Sequence, residues 1–187
     1  MLCGIFAFLT APALTDPWVI KTVFSRESPT VMDEIAEAIN DVAQAYPEVR
    51  GIEVRAEAID PHVYGYAMGG KLIMFNKTYT SNPERFRKLV ENDIALGFHP
   101  ELGRCSHAEL LAYHEAAHVI DQKRHLKPRV AFAEKYGRGE ILRGTLSGYS
   151  FTTDGRLAHG EALAEAFAAT LCGSANDTER DIFAFFN

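Results

Sequence analysis

Apolar side chains recur at Ile35, Ala38, Ile39, Val42 and Ala43, the spacing of one helix face. With Thr30 and Asp33 ahead of them, they predict an N-capped helix that ends near Tyr46-Pro47 and packs on a sheet. The period then changes. Ile52, Val54, Ala56 and Ala58 alternate with Glu53, Arg55 and Glu57, as in a strand with one buried face. Two β-prone runs follow in "VYGYAMGGKLIMFNKTY", parted by Gly69-Gly70 as a hairpin turn would part them. The first half therefore predicts a helix and three antiparallel-capable strands.

The second half is helical. Asn82-Pro83 predicts a capped start, with Phe86, Leu89, Val90 and Ile94 on the buried face and a stop near Gly97. Ser106 and Glu109 have the spacing of a capping box and open a helix running to Arg124. A short helix is expected from Pro128 to Gly137, and an Ala-rich one over "HGEALAEAFAATLCG", stopped by Gly173. Together these elements predict an α+β domain: a small, mostly antiparallel sheet backing the Ser106–Arg124 helix, with its core in 30–170 and residues 1–28 as an N-terminal arm or strand.

Composition narrows the function. A chain of 187 residues with 47% hydrophobic side chains suits one domain rather than two. Its net charge of −6 is dispersed, which argues against nucleic acid or an anionic membrane as the main partner. Cys3, Cys105 and Cys172 are odd in number and widely spaced, so neither a disulfide framework nor a thiolate zinc site is expected, and a reducing compartment fits best. The apolar "MLCGIFAFLTAPAL" holds a small-residue Ala11-Pro12-Ala13 but has no Lys or Arg before it; a buried strand or packing arm and a secretory signal both remain open. No apolar run has the roughly 18 residues needed to span a bilayer.

The chemistry concentrates in "AYHEAAHVIDQ". Residues four apart on a helix share a face, so His114 and His118 can offer two ring nitrogens to one metal ion. Glu115 is rotated by one position and is placed to reach a water rather than the ion. The bland alternative keeps both histidines on a solvated face. Leu110, Leu111, Ala117 and Ile120 surround them instead, and two buried imidazoles without partners would be costly. A catalytic zinc takes three protein ligands, and Glu161 and Glu165, again four apart on an otherwise uncharged helix, are the candidates for the third.

"HEAAHVID", "LSGYSFTTDG" and "GEALAEAFA" resemble the glutamate-type zinc metallopeptidases (gluzincins), in particular the branch with the catalytic domain of anthrax lethal factor and domains of phage head-associated proteins. The resemblance covers roughly residues 62 to 170 and implies a zincin-like fold, one Zn2+ per chain and a peptide or protein substrate. It makes His114, His118 and Glu161 the ligands, Glu115 the general base and Tyr149 the donor to a developing oxyanion, with Tyr136 a competitor for that role. Glu165 becomes an acceptor that orients a histidine ligand, and Asp121 a second one. Two departures stand out: Ala117 replaces a glycine frequent before the second histidine, and the loop from Tyr149 to Glu161 is longer than in lethal factor.

The substrate is expected to lie extended along "KLIMFN", unless that near-continuous apolar run is an interior strand. Peptide hydrolysis then proceeds in a cytoplasmic or virion-associated setting, the latter implied by the phage resemblance. The rival is a catalytically silent, zinc-stabilised structural or binding protein. His107, seven residues before His114, could close such a site as a fourth ligand.

Overall fold

The computed structural model describes residues 20–22 and 29–187; the expectations for the N-terminal apolar segment lie outside them. Four strands form one sheet: β1 (Ile20–Thr22), β2 (Glu53–Glu57), β3 (Gly65–Met68) and β4 (Leu72–Asn76). Their order is β1-β2-β4-β3. β1 pairs with β2 and β2 with β4 in parallel, and only β3 is antiparallel, to β4. The sheet is therefore mixed and mostly parallel, not mostly antiparallel. Side-chain alternation fixes which face a strand buries and is silent on its direction. Here helix α1 (Pro29–Ala45) returns the chain between β1 and β2, a connection that parallel neighbours require.

The β3–β4 hairpin forms at the predicted place. Gly69 and Gly70 both have positive φ (59° and 64°), the conformation of a two-residue type I′ turn, and Lys71 N–H closes it onto Met68 C=O. β4 is thereby enclosed between β2 and β3, and "KLIMFN" is an interior strand buried from Ile73 to Asn76. Among the described residues β1 and β3 are the edge strands, and β3 is the one next to α4.

The helices follow the predicted boundaries closely. A short α2 (Lys77–Thr80) leads to α3 (Pro83–Ala95), capped by the Asn82 side chain on Arg85 N–H. α4 (His107–Lys123) opens with the full Ser106/Glu109 capping box, and Ser106 Oγ also donates to Glu34 of α1. α5 (Lys127–Tyr136), α6 (His159–Cys172) and α7 (Asp177–Phe183) complete the set. α1 starts at Pro29, so Thr30 sits inside its first turn rather than at its cap.

The core joins the buried faces of α1, β2 and β4 to α4 and α6, which is buried continuously from Ala162 to Ala169. It does not stop at residue 170: Cys172, Ile182 and Phe186 are fully buried, and Phe167 stacks edge-on against Phe186 at 5.1 Å. Two ties fix α4 in place. Gln122 accepts from Gly70 N–H (2.6 Å) and donates to Ala67 C=O (3.3 Å), holding the edge hairpin over the helix. Cys105 and Cys172, 67 residues apart, form a disulfide that joins the start of α4 to the end of α6. A pairing was not expected from the spacing; the fold brings the two Cα atoms to 5.1 Å. Among the described residues no helix is long and apolar enough to cross a membrane.

Candidate metal centre

α4 and α6 run against each other with the His114/His118 face of one turned to the Glu161 end of the other. His114 Nε2 lies 3.1 Å from His118 Nε2, and each is 3.2 Å from Glu161 Oε2. These three side chains form a group able to hold a metal ion. Burial alone would push the Glu161 carboxyl up, but the two histidines outweigh it and hold it well below the ordinary carboxylate range.

Glu165, one turn further along α6, is 2% exposed and stands behind the group. Its Oε1 is 2.7 Å from His114 Nδ1, somewhat out of line for a straight hydrogen bond, and 3.0 Å from His99 Nδ1. Ser147 Oγ donates to its other oxygen at 2.8 Å. One carboxylate thus lies against the His114 ring and is itself held from two sides, by His99 and Ser147. Burial opposes its charge; hydrogen bonds from His114 and His99 overcome this and bring its pKa to about 2.

Glu115 has no such company. It is 7% exposed, takes a hydrogen bond from the Ala67 backbone on β3, and its Oε2 has no partner. Desolvation raises its pKa, against the pull of His114 and His118. Tyr149 faces the same space: its ring is 5.7 Å from that of His114 and 5.2 Å from that of His99. Burial, then the charges of Glu161, Glu115 and Glu165, push its hydroxyl up to about 12, so it is a donor throughout the neutral range. Its backbone N–H is tied to Phe98 C=O, which anchors the long loop ahead of Glu161. Tyr136, the competitor, packs on Phe132 and Phe185 elsewhere.

Two cavities meet at these side chains. One, of about 270 Å³, runs between the β3 edge, Gln122, Arg129 and the three clustered groups. The other, of about 220 Å³, lies towards Tyr64, Asp93, Phe98 and Leu111. His114, Glu115, Gly65 and Tyr149 line both.

Three expectations change. Asp121 does not orient a histidine: its carboxylate is 2.9 Å from Arg129 Nη2 and accepts from Arg129 N–H at 3.2 Å, serving the start of α5. His107 is not a fourth ligand, since it lies 3.5 Å from Glu91 and outside the cluster. The strand beside the site is β3 rather than "KLIMFN". His99 and Ser147 were missed as partners of Glu165. Both come from loops, and only the Gly148–Gly97 and Tyr149–Phe98 backbone bonds bring those loops together. The lone sequence signal was a polar loop leading to the motif helix.

No protein-family model, curated protein or solved structure matches this chain.

Proposed function

We propose that this chain is a zinc-dependent peptidase of the glutamate zincin type, with His114, His118 and Glu161 as ligands and Glu115 as general base. The carrying observation is Glu115: a buried carboxylate with an unpartnered oxygen, beside three converging donors and under an open sheet edge. A site that merely held a metal for stability would have no use for it.

The donor set fits zinc. Ligand distances of about 2.0–2.1 Å in a tetrahedron give ligand–ligand edges of roughly 3.3 Å. The observed edges are 3.1, 3.2 and 3.2 Å. Two imidazoles and one carboxylate are a borderline donor set, unlike the six to eight oxygens calcium takes. With three protein ligands, a fourth position is left for water or substrate. When bound, zinc supplies Lewis acidity, lowering the pKa of a water and polarising a carbonyl.

The chain's own residues then have separate tasks. Glu115 takes the proton of the attacking water and can hand it to the leaving amine. The Tyr149 hydroxyl donates towards the oxygen on which negative charge develops. Glu165 holds His114 in one ring orientation and tautomer. On the outer edge of β3 the Ala67 backbone is held by Glu115 and Gln122, and Gly65, which borders both cavities, is where an extended peptide can add alongside the strand whatever its side chains.

Metal analysis of the purified protein, paired with digestion of an unfolded protein, tests the reading. One zinc per chain and neutral-pH cleavage that stops on chelation are expected. Full zinc loading with no cleavage would leave the silent, zinc-stabilised alternative.

A further inference from the structure

The cavity of about 220 Å³ has walls that differ from those of the cleft beside it. Leu111 and Phe98 form apolar sides, and Tyr64 and Tyr149 add aromatic faces. Asp93 is the carboxylate among them. The Tyr64 hydroxyl donates to Asp93 Oδ2 at 2.6 Å, and Tyr64 is itself fixed by packing on Tyr79 (5.3 Å) and Phe86 (6.3 Å). The acceptor is therefore held in place before any ligand arrives. Asp93 meets no Lys or Arg side chain among the described residues. Glu115, nine-tenths buried with its unpartnered oxygen, adds a second acceptor to the same lining.

We propose that this cavity receives a basic side chain, arginine above lysine, from the substrate residue next to the bond that is cut. The inference rests on the peptidase reading and names its substrate class. Because His114, Glu115 and Tyr149 border both this cavity and the cleft, a side chain filling the cavity belongs to a residue beside the reacting carbonyl. An arginine stem can lie along Leu111 while its guanidinium stacks on the rings and reaches Asp93. A planar fork also matches a fixed carboxylate better than an ammonium does. A purely apolar side chain would further desolvate the Asp93 charge and leave it the Tyr64 hydroxyl but no cation, a cost the apolar walls must offset.

The test uses one peptide with arginine, citrulline or leucine at the varied position, cleaved by the zinc-loaded full chain. Arginine should exceed citrulline in kcat/KM by about 30- to 100-fold, the range of a charged hydrogen-bonded pair. Asp93→Asn should shrink that ratio to within about threefold, whereas Tyr64→Phe should retain most of it. Equal cleavage of all three peptides, or a leucine preference, overturns the proposal while leaving the peptidase reading intact. If no peptide is cleaved, backbone amide shifts under titration with the same peptides decide. Shifts at Gly65, Asp93 and Phe98 with the arginine peptide and not with citrulline support the basic pocket; equal shifts or none overturn it.

Discussion

Glu115 and Glu161 are both glutamates lining the same cleft, but Glu161 meets both histidines and Glu115 keeps one oxygen without a partner, so the proposed function gives them different work. Glu161 shares its Oε2 with both histidines, so Glu161→Ala should weaken metal binding itself. His118→Ala should abolish stoichiometric zinc, read by metal analysis after dialysis. Tyr149 makes no hydrogen bond to His114, His118 or Glu161, so Tyr149→Phe should retain zinc and lose about 10²- to 10³-fold in kcat. A Phe variant at wild-type rate would remove the oxyanion role. At this scale much was legible: the four-residue spacings on α4 and α6 single out His114, His118, Glu161 and Glu165 without knowledge of the fold, and the resemblance chooses Glu161 between the two carboxylates. His99 was not, because its bond to Glu165 spans 66 residues and depends on two loops meeting. Asp121 misled for the converse reason. Its position on the motif helix suggested a histidine partner, but α5 brings Arg129 to it first.

At the scale of elements, capping and periodicity predicted helix starts and stops, because those signals are local: Asn82, the Ser106/Glu109 box and Gly173 all act within one turn. Strand direction and neighbours are set by how connections cross the sheet, which no local pattern carries. That is why the sequence leaves β4 open between edge and interior, and the fold places it inside. The disulfide is another long-range fact. It clamps the start of the helix bearing both histidines to the end of the helix bearing Glu161. Replacing both Cys105 and Cys172 by serine should lower stability by about 4 kcal/mol on the chain-entropy model for this separation. It should weaken zinc affinity as well, by letting α6 shift against α4. The denatured, unreduced chain should titrate at most one free thiol among its three cysteines. Three free thiols would contradict the pair.

For the molecule as a whole, the cluster should link stability to pH and, on the proposed reading, to metal. Without metal, its groups hold one another as ion pairs. Burial opposes the charge on His114, yet Glu161 and Glu165 keep its pKa well above 6.5; burial likewise opposes both carboxylates, yet the histidines hold them below 4.5. A raised histidine contributes stability that is complete below its unfolded value and lost as pH rises through the folded one. Lowered carboxylates contribute stability above their unfolded value that is lost as pH falls. The chelated protein should therefore be most stable between about pH 4.5 and 6.5, with Tm falling on either side. Zinc replaces protons on the histidines, so loading should move the optimum upward and raise Tm. Identical pH profiles with and without chelator would place the metal elsewhere.

The most direct test is the rate at which matched, zinc-loaded wild-type and Glu115→Gln proteins cleave one unfolded substrate near neutral pH. Glutamine keeps the size of the side chain and removes the base. The expected result is equal zinc content and fold, with cleavage reduced by several orders of magnitude. Equal rates in the two proteins would leave the metal site standing and contradict the mechanism.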